Sequence, residues 1–311
     1  LHYPLRRQRQ MCIRDRMNGI IVKALSGFYY LNGGGNIYEC RARGSFRKSG
    51  ISPLVGDKAE FELSVGTSGV VTEILPRKNA LSRPPVANID KLFIVSAYEN
   101  PEPNAYVIDK ITAIAEYADI EPIIVFNKCD TGDFGSWERV YRHAGFKVYT
   151  VSAETGEGLA ALKEELKNSV SAFTGNSGVG KSSILNALFG GHILKTGDVS
   201  EKLGRGKHTT RHTELFYVGD GGFVADTPGF SSFDYDSSDY AFKENLIYCF
   251  RDLKLYADNC RFTSCTHTGD GGCGVIKALQ NGEIEKSRFD SYKALFNELK
   301  DLKPWNTAKR K

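Results

Sequence analysis

The chain has 311 residues, of which 41% are apolar and 25% charged, an ordinary composition for folded globular protein and length enough for two or three domains. Its formal net charge is +4, and residues 1–16, with five Arg and one Asp, account for all of it. The remainder is balanced, so net charge is no argument for nucleic-acid binding. No apolar run is long enough for a membrane-spanning helix.

Residues 1–16 contain no apolar stretch of the kind a secretory signal needs. Met17-Asn18-Gly19-Ile20 reads as a natural start, and 1–16 is expected to be a non-native leader. Seven Cys, an odd number without an export signal, point to a reducing cytoplasm rather than a disulfide framework.

Residues 17–83 read as five short strands, Ile20–Ala24, Phe28–Leu31, Asn36–Cys40, Ala59–Leu63 and Gly69–Leu75. Gly- and Asn-rich turns separate them, and the pattern predicts a small β-barrel such as an OB-fold. Arg41, Arg43, Arg47 and Lys48 surround Phe46. Cations for phosphates and a ring for a base would suit RNA, whereas an inward-packing Phe46 would leave only a solvated loop. Residues 77–85 read as a basic linker containing Pro84 and Pro85.

From residue 84 to 235 strands alternate with helices, which predicts a parallel sheet covered on both faces. Strands are expected at Lys91–Ser96, Ile123–Phe126, Lys147–Val151 and Val170–Thr174, with helices at Ala105–Tyr117, near Trp137–Ala144 and at Gly158–Lys167. Asn127-Lys128-Cys129-Asp130 closes the second strand as N-K-x-D. An Asp carboxylate there can accept from guanine N1–H and the exocyclic amine, and adenine, with an acceptor at N1, is rejected. Ser152-Ala153 resembles the third guanine element, in which a backbone N–H meets guanine O6.

Gly175-Asn176-Ser177-Gly178-Val179-Gly180-Lys181-Ser182 then fits the phosphate-binding loop, with Ser183 opening the helix behind it. Backbone amides cradle the phosphates, Lys181 reaches the β/γ-phosphates and the Ser182 hydroxyl ligates Mg²⁺. Farther on, Asp226-Thr227-Pro228-Gly229 follows the strand pair Glu214–Val218 and Gly222–Ala225 as D-x-x-G. Asp226 is expected to hold Mg²⁺ through water and the Gly229 amide to sense the γ-phosphate. Phe230 stands where many GTPases place a water-orienting Gln. In the polar segment before these strands, Thr209 or Thr210 is the candidate to close on Mg²⁺, and His208 the candidate to position water.

The guanine elements precede the phosphate loop, the reverse of the usual order, so the domain reads as a circularly permuted P-loop GTPase. Permutation is tolerated where termini lie close together at the surface.

Residues 236–303 are expected to be helical, with Tyr240–Ala257 and Ile284–Leu302 as the main segments. Between them Cys260, Cys265, His267 and Cys273 have the spacing C-x4-C-x-H-x5-C, a closed tetrahedral zinc site with no position left for water and hence structural. Residues 304–311 form a basic tail.

Together these motifs, with Arg83-Pro84-Pro85-Val86-Ala87-Asn88-Ile89-Asp90 and Arg205-Gly206-Lys207-His208-Thr209-Thr210, resemble the ribosome small-subunit-dependent GTPase A family, RsgA or YjeQ, over residues 17 to about 303. The resemblance implies an OB-fold, a permuted GTPase domain and a zinc domain, one Zn²⁺ per chain, and Mg²⁺ with GTP. It further implies a cytoplasmic monomer acting late in 30S assembly on 16S rRNA, with the subunit stimulating hydrolysis and His208 as catalytic histidine. Asp270-Gly271-Gly272 departs from the family's usual Glu-Pro-Gly. Two rival readings are a GTP-gated RNA-binding module with little hydrolysis and a permuted GTPase of the large subunit. The short run from Gly229 to the zinc segment suggests that nucleotide state moves that segment.

Overall fold

The structure, a computed structural model, describes residues 16–302 apart from 45, 47–49, 51, 66, 83, 191–212, 227–239 and 270. The chain divides into two compact units, one reaching Arg77 and the other starting at Lys78.

The first unit is a closed barrel of five strands, β1 (Arg16–Leu25), β2 (Phe28–Gly33), β3 (Asn36–Ala42), β4 (Lys58–Val65) and β5 (Ser68–Ile74). They run in the order β1-β2-β3-β5-β4, and β4 closes back on β1. The first half of β1 pairs with β4 and the second half with β2, with a bulge between Ile21 and Lys23 where the strand changes partners. Only β3 and β5 are parallel. Ile21, Leu31, Cys40, Ala59, Phe61 and Val71 fill the interior, and Phe46 joins them. Phe46 therefore packs inward and offers no face to a base, the second of the two outcomes open to it in the sequence. On β2 the ring of Phe28 is half-buried, and the guanidinium of Arg41 lies 4.6 Å over it. Below the barrel, Asp57 is fully buried and accepts both Arg77 Nε at 2.7 Å and Arg77 Nη2 at 2.8 Å.

The second unit opens with a two-stranded hairpin, β6 (Ala80–Ser82) and β7 (Pro85–Ala87), in the stretch expected to be a plain linker. Backbone pairing on either side of the turn accounts for the difference, since Pro85 leads its strand and its missing N–H costs no ladder bond. A six-stranded sheet follows. In chain order its strands are β8 (Lys91–Ala97), β9 (Glu121–Asn127), β10 (Lys147–Val151), β11 (Val170–Thr174), β12 (Glu214–Gly219) and β13 (Gly222–Asp226). The spatial order is β10-β9-β8-β11-β13-β12. All neighbours are parallel except β12, which forms a hairpin with β13.

The helices of this sheet are α1 (Ala105–Tyr117), α2 (Gly135–His143), α3 (Leu159–Glu164) and α4 (Lys181–Phe189). Asn104 caps α1 by accepting from the Val107 amide at 3.2 Å. Phe93 of β8 stacks on Phe173 of β11 at 4.7 Å in the core.

The C-terminal helices are α5 (Tyr240–Asn245), α6 (Gly274–Gln280) and α7 (Lys286–Leu299). The single helix expected over Tyr240–Ala257 breaks into α5 and two 3₁₀ turns, Leu246–Cys249 and Lys254–Asn259. The break lies at Phe250, whose backbone is extended. Three consecutive side chains there reach different partners. Phe250 packs edge-on against Tyr292 at 5.4 Å, Arg251 Nη2 pairs with Glu121 at 2.6 Å, and Asp252 faces Arg288. One helical face cannot satisfy all three directions.

Arg288 of α7 is fully buried. It donates to Asp109 of α1 at 2.5 Å and to Asp252 at 3.1 and 3.2 Å, with its guanidinium 4.8 Å from the Phe250 ring. These contacts fix the C-terminal helices on α1.

Candidate nucleotide and metal sites

Strand β11 ends at Thr174 and the loop 175–180 leads directly into α4. Gly175, Gly178 and Gly180 all have positive φ, which turns successive amides toward one side. Gly180 is the N-cap of α4 and no side chain caps it, so the first-turn amides face the concavity of the loop. A β-carbon on Gly180 would lie 2.2 Å from Asn127 Nδ2, so only glycine fits between the loop and the guanine motif. Lys181 Nζ donates to the carbonyls of Gly175 at 2.7 Å and Asn176 at 2.8 Å, and burial pulls its pKa down. Ser182 and Ser183 are exposed on the first turn of α4.

Asn127 ties three motifs together. Its Nδ2 donates to Val179 O in the phosphate loop at 2.9 Å, and its Oδ1 accepts from the Ala153 amide at 3.2 Å. The side chain is buried, and residues 52 positions apart in sequence meet on it. The Ala153 amide of the third guanine element is thus directed to Asn127. Beside it Ser152 is fully buried and its Oγ accepts from the Thr155 amide at 3.1 Å.

The turn after Asn127 is held by Lys128 in the left-handed region, φ 66°, by the Thr131 amide on Lys128 O at 3.0 Å and by the Cys129 amide on Val151 O at 3.2 Å. Asp130 projects from this turn and is exposed. Lys128 Nζ donates to Glu99 O at 3.2 Å. The loop after β8 carries no nucleotide-binding motif in its sequence. The one available cue was its position at the carboxyl end of a parallel strand, the crevice side of an open α/β sheet.

Strand β13 runs parallel to β11 with Ala225 opposite Ala172, which brings the backbone of Asp226 beside the strand that feeds the phosphate loop. The expected His208, Thr209, Thr210 and Gly229 lie outside the described residues, as do Arg47 and Lys48.

The Cys/His cluster assembles as its spacing predicted. The ligating atoms of Cys260, Cys265, His267 and Cys273 all lie within 4.8 Å of one another. Cys260 Sγ is 3.8 Å from Cys273 Sγ and 3.3 Å from His267 Nδ1, and Cys273 Sγ is 3.7 Å from the same nitrogen. A regular tetrahedron with metal–sulfur bonds of about 2.3 Å has edges of about 3.8 Å, so the donor set and its spacing both fit Zn²⁺. The Gly274 amide donates to Cys260 Sγ at 3.3 Å, and Tyr292 of α7 donates to Thr266 O at 2.9 Å, which ties the cluster to α6 and α7.

Comparison with known proteins agrees with this geometry. The RsgA GTPase family matches residues 74–236 and the RsgA N-terminal domain residues 18–71. A small ribosomal subunit biogenesis GTPase RsgA from Caldanaerobacter subterraneus subsp. tengcongensis is 46% identical, over 92% of this chain and 97% of its own length. The protein of the same name from Clostridium kluyveri is 41% identical, over 93% of this chain and 100% of its own. Among solved structures, YloQ, described as a circularly permuted GTPase, superposes with TM-score 0.79 at 33% identity, covering 95% of this chain and 99% of its own. YjeQ from Thermotoga maritima gives TM-score 0.77 at 34% identity, covering 93% and 100%. The chain that joins a phosphate loop to a guanine turn through one asparagine is thus matched by these relatives over nearly its whole length, and it belongs to the RsgA GTPase family.

Proposed function

We propose that this GTPase serves biogenesis of the small ribosomal subunit, binding the 30S particle through 16S rRNA and hydrolysing GTP faster when bound to it. The observation that carries the nucleotide reading is the Asn127 bridge, which joins N-K-x-D, Ser152-Ala153 and the phosphate loop in one crevice. The partner reading comes from the relatives' name, small ribosomal subunit biogenesis GTPase.

In this reading Asp130 accepts from the guanine N1–H and amine, and Asn127 and Lys128 hold the turn that presents it. The amides of residues 175–183 receive the phosphates. Lys181 exchanges its two loop-carbonyl acceptors for β- and γ-phosphate oxygens, and its charge then sits where the transition state gains negative charge. Ser182 and Asp226 would hold the Mg²⁺, which neutralises the phosphates when bound with GTP. His208 orients the attacking water in place of the Gln that Phe230 replaces, with Thr209 or Thr210 and the Gly229 amide closing over the γ-phosphate.

Cys260, Cys265, His267 and Cys273 would hold one structural Zn²⁺. We divide the chain into three domains, a barrel domain at 17–83 whose compact unit ends at Arg77, the GTPase domain at 84–235 and the zinc-binding helices at 236–303. On the barrel, Arg41 and Arg43 are exposed, and Arg41 stacked on Phe28 supplies the cation-and-ring pair that Phe46 does not. No helix among the described residues is long and apolar enough to cross a membrane, and we assign the protein to the cytoplasm as a monomer. The deciding experiment is GTP turnover measured with and without purified 30S subunits. Equal rates at low salt overturn the ribosome-dependent reading.

A further inference from the structure

We propose that Tyr98 and Gly132 form a positioning pair that sets the guanine-reading turn, and that base selectivity depends on the fit between them. The inference rests on the reading of residues 127–130 as the guanine site.

Gly132 follows Asp130 by two residues. It is not in the left-handed region and no backbone constraint requires a glycine there. What excludes a side chain is the Tyr98 ring. A β-carbon on Gly132 would lie 2.2 Å from Tyr98 Cε1 and 2.3 Å from Cζ. The ring therefore rests directly on the Gly132 backbone. It is held from behind by Phe134, edge-on at 5.5 Å, and Phe134 in turn stacks on the fully buried Phe126 of β9 at 4.7 Å. The next residue, Glu99, accepts from Lys128 Nζ through its carbonyl. The loop after β8 thus grips the turn at both ends, at Lys128 and at Gly132, with Asp130 between them. The same loop also reaches the phosphate side, where Asn100 O lies 3.3 Å from where a β-carbon on Gly178 would be.

Tyr98 is 40% exposed, and its ring lies between the buried Phe134 and the Gly132 backbone. A carboxylate that must accept two parallel hydrogen bonds from guanine is sensitive to small displacements, which are worth about ten- to a hundredfold in well-oriented sites. Tyr98 does not itself reach the reacting atoms. It acts through the placement of Asp130.

The test is a double-mutant cycle on the full chain, read as affinity for GTP and for ITP, which lacks the 2-amino group that Asp130 reads. Tyr98→Ala is expected to weaken GTP binding about tenfold or more and to shrink the preference for GTP over ITP. Tyr98→Phe, which keeps the ring, should bind both as the parent does. Gly132→Ala should reproduce the loss, because its methyl group displaces the ring. In the Tyr98→Ala background the same methyl group should cost little further, the signature of a coupled pair. A general structural weakening would lower GTP and ITP affinity together and leave their ratio alone. An unchanged ratio in Tyr98→Ala and Gly132→Ala, or full additivity of the two, overturns the proposal. If Tyr98→Ala does not fold, Tyr98→Leu takes its place in the cycle. Asp130→Asn, assayed alongside with GTP and XTP, separates the two levels. If it switches preference to XTP while the Tyr98 and Gly132 variants bind normally, only the positioning pair fails. If GTP affinity survives in Asp130→Asn, the guanine-site reading fails and the pair fails with it.

Discussion

In the proposed mechanism Lys181 and His208 both serve the γ-phosphate, yet their substitutions should differ in kind. If Lys181 meets phosphate oxygens already in the ground state, Lys181→Ala should damage nucleotide binding and turnover together. If His208 acts on water only in the transition state, His208→Ala should leave GTP affinity within about threefold and lower kcat by about a hundredfold or more. Equilibrium binding of a fluorescent GTP analogue beside single-turnover rates distinguishes them, and equal affinity loss in both removes His208 from catalysis. A second residue-scale expectation concerns Glu165. Burial pushes its pKa up, but hydrogen bonds from Lys147, Lys91 and Tyr149 outweigh that and bring it to about 2. Its folded value lies below its unfolded one, so the stabilisation is present above about pH 4.5 and is lost as pH falls toward 2. The shift corresponds to roughly 3 kcal/mol. Glu165→Gln should therefore unfold at clearly lower urea than the parent at pH 6, and the gap should narrow below about pH 4.5 and close near pH 2.

Among the elements, the zinc loop and the helices around it can be separated by experiment. Cys265→Ala is expected to lose the metal, read by elemental analysis, and to loosen the 260–273 loop. Full zinc occupancy in that variant refutes the ligand set. The zinc-binding helices are tied to the GTPase core all the same, because α7 and α1 share a buried ion pair. Arg288→Ala leaves Asp109 and Asp252 without their cation and should cost about 3–5 kcal/mol in the second unit, seen as a fall in its unfolding midpoint. Swinging the zinc-binding helices away from the sheet during the nucleotide cycle would have to break the same pair.

Much of this level was legible in the sequence. Apolar runs gave the strands of the sheet, period 3.6 gave α1 and α7, and cysteine spacing gave the metal cluster. What escaped were long-range constraints. Phe46 turned inward because the barrel had room for it. The helix expected over Tyr240–Ala257 was interrupted to serve three partners at once. The Tyr98–Gly132 contact joins positions whose local sequence carries no signal of the other.

For the whole molecule, the charge-balanced body means that the proposed attachment to RNA would have to come from local patches. We expect GTP turnover to rise strongly on adding 30S subunits at low salt and the effect to fade as salt increases, since each phosphate contact releases counterions. Changing Arg41, Arg43, Arg47 and Lys48 together to Ala should weaken the stimulation without altering the basal rate. Turnover indifferent to both salt and these substitutions would locate the contact elsewhere. The Arg288 tie has a further consequence for how the protein is made. Asp109 emerges from the synthesising ribosome 179 residues before the arginine that neutralises it. At about 5–20 residues per second, α1 waits roughly ten to forty seconds for its partner. Throughout that interval Asp109, destined for the interior, has no cation, and Asp252 joins it only for the last 36 residues. α1 thus gains its buried cation only after residue 288 has been translated, and nascent chains arrested before it should remain protease-sensitive around α1 while those arrested well after it resist.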